Sequence, residues 1–360
     1  MIVLYIFFLL VLSIYGYALV DPNLTLINSP FWTQFRNVLV YLGYYQRQWS
    51  WVIYLILIII LFFFSFYFVK HSKKIKPLRL ALIIGILLLL SYPFLSHDFF
   101  NYLFDAKILT FYGKNPYLYK ALDFSSDPWL RFMHWTHRTY PYGPVFLLIT
   151  LVPSFFSFGK FIISFFLFKI TWLFFYLLAV YYLNKLNKKW AIIFTTHPLI
   201  LIEGLVNAHN DLIATSLAII GIYYLFKEKN LFARLLLLLS GGIKYITLPL
   251  IFLVRPKTHP RGVVLILIGL LIILGYLTFF SEIQPWYFLV LFVFLPYFEK
   301  LVYRLNIFFL GLLLSYYPYI RLGGWDSVEK LSLKHIIILA FSIINLIYFL
   351  WFSTKHEQIS

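Results

Sequence analysis

The sequence predicts an all-α, polytopic transmembrane helix bundle with about ten membrane segments. Three observations carry this. Hydrophobic residues make up 62% of the 360 positions and charged residues 12%, and mean hydropathy is +0.86. So few polar groups cannot cover a water-soluble globule of this length. Apolar runs able to cross a hydrocarbon core of ~30 Å recur along the whole chain. Lysine and arginine gather in short stretches between those runs, as they do where loops orient helices in a membrane. The net charge of +17 therefore encodes topology rather than affinity for nucleic acid. With no cysteine, disulfides and thiolate metal sites are excluded.

Residues 1–20 have the apolar stretch of a signal peptide but lack its basic start and small-residue cleavage site, so an uncleaved first helix is expected. Asn23-Leu24-Thr25 is a glycosylation sequon, too common to weigh. Segment 22–48, with Trp32, Tyr41, Tyr44 and Tyr45, reads as an interfacial element. The run 49–69 ends in Lys70, Lys73, Lys74, Lys76 and Arg79, which belong in the cytoplasm. The run 80–95 then crosses outward, placing His97-Asp98 outside. Lys227-Glu228-Lys229 is likewise cytoplasmic, so 212–226 crosses inward and Asp211 also lies outside. The two acidic pairs should therefore share one face.

Two stretches resist simple counting. Runs 144–158 and 161–183 join an outer Tyr142 to the basic cluster Lys185 to Lys189. Two crossings give the wrong parity unless one run is broken or re-entrant, or the cluster is external. Stretch 231–254 must begin and end inside, yet at 1.5 Å per residue it is too short for two crossings. A broken or re-entrant element with its apex at Gly241-Gly242 is the physical answer, since irregular backbone is tolerated only where it lines a cavity or packs in protein. Arg255 to Arg261 is cytoplasmic. Runs 262–280, 287–298, 306–320 and 336–353 then alternate, with 321–335 as an outer loop. There is no separate soluble domain: residues 1–360 read as one integral membrane unit, and 96–141 as its main outer loop.

Within that loop, Phe99, Tyr102, Leu103, Ala106 and Leu109 recur at helical spacing, which predicts a helix lying in the interface. Gly113 to Pro116 ends it. Asp98, Asn101, Tyr102 and Asp105 share one face of this helix. A carboxylate so placed can serve as a general base toward a hydroxyl, and it also suits a helix N-cap. Asn207, His209, Asn210 and Asp211 form a second polar cluster between apolar runs, with Glu203 nearby; ionisable groups in such places are functional candidates. His97, Asp98, His209 and Asp211 also match the ligand chemistry of several divalent cations, but the expectation is that no metal or other cofactor is used. Lys244, beside the glycine pair, cannot stay charged and unpaired in lipid and must meet a cavity, a carboxylate or a phosphate. Gln284, Trp286 and Tyr287 open a helix on the outer face. Arg131, His134, His137 and Arg138 give the outer loop a basic end able to neutralise a phosphate or to meet anionic lipid headgroups. No nucleotide-binding loop or zinc-hydrolase motif occurs, so a sugar donor would have to be lipid-carried.

The blocks SHDFFNYLFDAKILTFYGKNPY (96–117), YPYGPVFLL (140–148), NAHNDLIATSLAIIGI (207–222), GGIKYITLPLIFL (241–253) and QPWYF (284–288) occur in this order. Together they resemble the polyprenol-phosphate-mannose-dependent mannosyltransferases of the GT-C superfamily, most closely the bacterial α-1,6-mannosyltransferases. The resemblance implies a GT-C bundle with interfacial helices in loop 96–141. It makes Asp98 the catalytic base and Lys244 the partner of the donor phosphate. His97, Asn101, Tyr102, Asp105, Arg138, Tyr142, His209, Asn210, Asp211, Gln284, Trp286 and Tyr287 become candidate substrate-binding residues. The implied partners are the bilayer, a polyprenyl-phosphate sugar donor and a glycan or glycolipid acceptor, with the site on the outer face of the plasma membrane. The competing reading is a transporter or flippase of lipid-linked saccharides, which would use the buried lysine and broken helices as a path.

Overall fold

The structure is a computed structural model that describes residues 1–24, 29–255, 260–280 and 282–357. Thr25 of the sequon and positions 256–259 of the stretch Arg255 to Arg261 lie outside these residues. Among the described residues all regular structure is helical. The main helices are α1 (Ile2–Tyr15), α2 (Pro30–Val40), α3 (Arg47–Lys70), α4 (Pro77–Leu89), α5 (Asp98–Thr110), α6 (Pro144–Phe156), α7 (Phe161–Leu186), α8 (Lys188–Thr196), α9 (Asn210–Phe226), α10 (Asn230–Gly241), α11 (Pro260–Phe280), α12 (Leu295–Arg304), α13 (Asn306–Leu314) and α14 (Val328–Glu357).

The expectation of about ten crossings is not met by helix length. Among the described residues six helices are long and apolar enough to span a membrane, seven if the bent pair Lys188–Thr196 and Ile200–Val206 is one span. The difference lies in α4, α6, α9 and α10, which are apolar but short. At 1.5 Å per residue, the 13 residues of α6 reach only ~20 Å, short of a ~30 Å core.

This shortness removes the parity conflict at 144–189. Lys188 Nζ donates to the carbonyl of Lys73 at 2.6 Å, so the two basic clusters stand at the same end of the bundle. The 26-residue α7 is long enough to cover the distance alone, whereas α6 falls short of a full span. Stretch 231–254 is broken as expected. Helix α10 stops at Gly241, and a tight helical segment, Tyr245–Phe252, follows. Arg234, near the start of α10, donates to the carbonyls of Ile251 and Leu253, the latter at 2.7 Å. The chain thus returns to the end from which it came.

A second break shapes the centre of the bundle. Helix α8 and the wide helical turn Ile200–Val206 meet at 67°. The freed carbonyls of Leu205 and Val206 accept from Lys169 Nζ of α7 at 2.6 and 2.9 Å, and Ser91 Oγ accepts from the same amine at 3.1 Å. A cation deep in an apolar bundle is thereby held by backbone that would otherwise be unsatisfied. Ala208 next adopts φ +54°, an uncommon conformation for a residue with a Cβ. The turn aims His209, Asn210 and Asp211 at the start of α9. Trp172 of α7 donates its indole N–H to the His209 carbonyl at 2.9 Å and fixes that backbone.

Candidate functional site

A cavity of about 660 Å³ opens at the end of the bundle where α5 and α9 begin. Helix α5 supplies its first residue, Asp98, and the preceding Ser96 hydroxyl accepts from the Asp98 N–H at 3.2 Å. The carboxylate is partly covered, with 17% of the side chain exposed. Arg138 Nη2 lies 3.9 Å from Oδ1, and His209 Nδ1 lies 3.8 Å from Oδ2. The two acidic blocks, more than a hundred positions apart in sequence, therefore meet in one place. Burial raises the Asp98 carboxyl above the ordinary carboxylate range, with Lys244 and Arg138 pulling the other way.

His209 is fully buried and stacks on Trp286 at 3.8 Å. Its Nε2 lies 3.4 Å from Oε2 of Glu203, which is also fully buried. A carboxylate–imidazole–carboxylate row thus runs from the cavity into the bundle. Among the described residues, neither ring nitrogen of His209 nor Oε1 of Glu203 has a hydrogen-bond partner. Unsatisfied polar atoms of this kind are costly to bury. Glu203 itself is oriented by the Asn207 side-chain amide at 3.3 Å.

Lys244 sits at the break after α10. Its Nζ reaches Asp211 Oδ2 at 3.0 Å and Asn210 Oδ1 at 3.4 Å, over the Tyr287 ring. The break is pressed against the start of α6: a Cβ on Gly143 would stand 1.9 Å from the Gly242 carbonyl oxygen. Only a glycine at 143 allows that approach. Lys244, Tyr142 and Tyr287 line the polar cavity and also a second, apolar groove of about 250 Å³ that includes Gly143, Ile246 and Leu277. The lysine thus stands where a polar chamber meets an apolar one.

Of the residues singled out from sequence, His97, Asp98, His134, Arg138, Tyr142, Lys244, Gln284, Trp286 and Tyr287 line the cavity. His209, Asn210 and Asp211 form the layer behind it. Asn101, Tyr102 and Asp105 are buried within α5. Asn101 donates to the Trp135 carbonyl at 3.2 Å, Tyr102 stacks on Trp172, and burial raises Asp105 to about 8. These three hold α5 and its loop together rather than facing the cavity. Several lining residues carried no local signal. Trp135, from the same outer loop, and Tyr316, Tyr319 and Trp325 close other walls, while the buried Lys334 of α14 bonds Glu282 at 2.5 Å and Gln284 at 3.0 Å from behind. Except for Trp135, these come from elements distant in sequence, so only the folded chain brings them in.

With this geometry established, comparison with known families is decisive. Residues 11–256 match the family described as alpha-(1->6)-mannopyranosyltransferase, N-terminal domain. The chain belongs to that family. Comparison with curated proteins and with solved structures gives no match. The match to this mannosyltransferase family covers Asp98, Arg138, the His209 block and Lys244, while Gln284, Trp286 and Lys334 lie beyond it. Membership of this family supports mannosyl transfer by a glycosyltransferase.

Proposed function

We propose that this protein is an inverting, polyprenyl-phosphate-dependent mannosyltransferase of GT-C type. It acts on the outer face of the plasma membrane and transfers mannose to a hydroxyl of a glycan or glycolipid. The observation that carries this reading is the position of Lys244 between the polar cavity and the apolar groove. A lipid-linked phosphate needs such a boundary: its isoprenoid tail requires apolar surroundings, its phosphate a cation, and its sugar a polar chamber.

In the proposed step the acceptor hydroxyl lies against Asp98. The carboxylate takes the hydroxyl proton as the acceptor oxygen forms its bond to the anomeric carbon. The bond from that carbon to the phosphate oxygen breaks, and its electron pair stays on the polyprenyl phosphate. Attack opposite the leaving group inverts the anomeric centre. Lys244 meets the charge that develops on the phosphate, and a preorganised cation in a partly dry site is a large catalytic term. Arg138 and His209 flank Asp98 at 3.9 and 3.8 Å and fix its orientation. Trp286 and Tyr287 provide flat faces of the kind sugars pack against.

The test is a panel of radiolabelled polyprenyl-phosphate sugars and nucleotide sugars, offered to the purified protein with candidate mannan acceptors. The reading requires transfer from polyprenyl-phosphate mannose. Transfer from a nucleotide sugar alone, or movement of the intact donor between leaflets without transfer, would overturn it.

A further inference from the structure

At one edge of the cavity, three side chains from three separate segments converge without serving the step above. Asp21 follows the first helical region, His97 precedes Asp98, and His134 lies in the loop that carries Trp135 and Arg138. The Nε2 atoms of His97 and His134 lie 3.8 and 3.5 Å from the same oxygen, Asp21 Oδ2. One donor atom from each residue falls within 4.8 Å of the other two. The other carboxylate oxygen, Oδ1, accepts the Asn23 N–H at 2.7 Å, which orients the group and leaves Oδ2 to the imidazoles.

We propose that Asp21, His97 and His134 form a binding site for a divalent cation of the zinc class. Two imidazoles and one carboxylate are a ligand set suited to Zn²⁺ or Co²⁺ and poorly suited to Mg²⁺ or Ca²⁺. Tetrahedral coordination at 2.0–2.1 Å places neighbouring donors ~3.4 Å apart, close to the 3.5 and 3.8 Å already present. The rings of His97 and His134 stack at 3.5 Å, 14° from parallel. A lone pair lies in the plane of its ring, so an ion shared by both nitrogens requires one ring to turn out of this stack. His134 is half exposed and free to swing its nitrogen onto an ion. Both histidines line the 660 Å³ cavity, so the remaining coordination position faces the substrate chamber.

The ion ties the outer loop to the bundle next to Asp98. His97 adjoins the proposed base, and the His134 loop carries Arg138. Bound metal therefore holds Arg138 over the carboxylate, a positioning role that needs no metal in the transfer step. This inference departs from the sequence-based expectation of no metal, and it stands whether or not the donor is polyprenyl phosphate.

The experiment uses the full chain in detergent, stripped with chelator and titrated calorimetrically with Zn²⁺ and with Co²⁺, whose ligand-field spectrum reports nitrogen ligation. One ion per chain is expected, unaffected by millimolar Mg²⁺. His134→Ala, at a half-exposed side chain, should weaken binding at least ~100-fold, the top of the range for losing an outer-shell partner alone. His137→Ala, a neighbouring exposed histidine, should leave affinity unchanged. Thermal stability should rise with Zn²⁺ in the unaltered protein and not in His134→Ala. Failure to bind one ion per chain, or binding undiminished in His134→Ala, would overturn the proposal and leave the cluster as a hydrogen-bonded stack.

Discussion

Replacing Lys244 with methionine separates two roles of one amine, its pairing with Asp211 and the proposed contact with the donor phosphate. The side chain is only 20% exposed and its partner Asp211 only 4%. Removing the cation strands a buried carboxylate, and breaking a buried pair by deleting one partner costs ~3–5 kcal/mol. The lower end applies because Lys244 keeps some contact with solvent. Lys244→Met should therefore lower the melting temperature by several degrees, and its loss of activity would mix misfolding with chemistry. The double variant Lys244→Met, Asp211→Asn removes the stranded charge and should recover most of that stability. It cannot recover the phosphate contact. A charge-assisted hydrogen bond is worth ~1.5–3 kcal/mol, so the donor KM should rise roughly 10- to 100-fold while the acceptor KM changes little. The assay is initial-rate transfer from polyprenyl-phosphate mannose in micelles, with melting followed on the same samples. A stable double variant with unaltered donor KM would refute the phosphate role.

Three further outcomes follow from the geometry. Gly143→Ala should destabilise the protein and shift Lys244, because the added Cβ meets the Gly242 carbonyl at 1.9 Å; an unchanged melting temperature would contradict the close approach. Lys169→Met should cost at least ~2 kcal/mol by leaving the Leu205 and Val206 carbonyls without a donor, read as a lower melting temperature, and no change would mean water replaces the amine. Asp105 has a folded value of about 8 against an ordinary 3.8, so between those values the folded state binds more protons than the unfolded. Stability contributed by this group should then fall as pH rises from 4 to 8. Asp105→Asn should flatten that slope, and parallel melting curves for the two proteins across pH would dismiss the assignment.

Much of this architecture was legible in the sequence because apolar runs and basic clusters are local signals. The break at 241–244 was legible for the same reason: glycine, glycine and a lysine inside an apolar stretch leave few alternatives. Segment number was not, since hydropathy reads α4 or α6 as membrane-compatible without showing where each helix stops. The meeting of Asp98 with His209 was foreseen through topology, and the structure sets it at 3.8 Å. The partners that tune the site were not foreseen. Pairing of Lys334 with Glu282, and of Asp21 with His97 and His134, depends on segments brought together by packing alone, and no local pattern announces it. Glu203 was noticed only as a neighbour of the His209 block. Its place beneath the imidazole follows from the wide turn at 200–206 and the strained backbone at Ala208.

The central claim is that Asp98 deprotonates the acceptor in mannosyl transfer. Its most direct test is Asp98→Asn, an isosteric change at a partly exposed carboxylate that should leave folding intact. The transfer rate from polyprenyl-phosphate mannose should fall by a factor of ~10² to 10⁴, the range for loss of a positioned general base. The melting temperature and donor binding should be retained. A folded Asp98→Asn protein that transfers mannose at the unaltered rate would contradict the account.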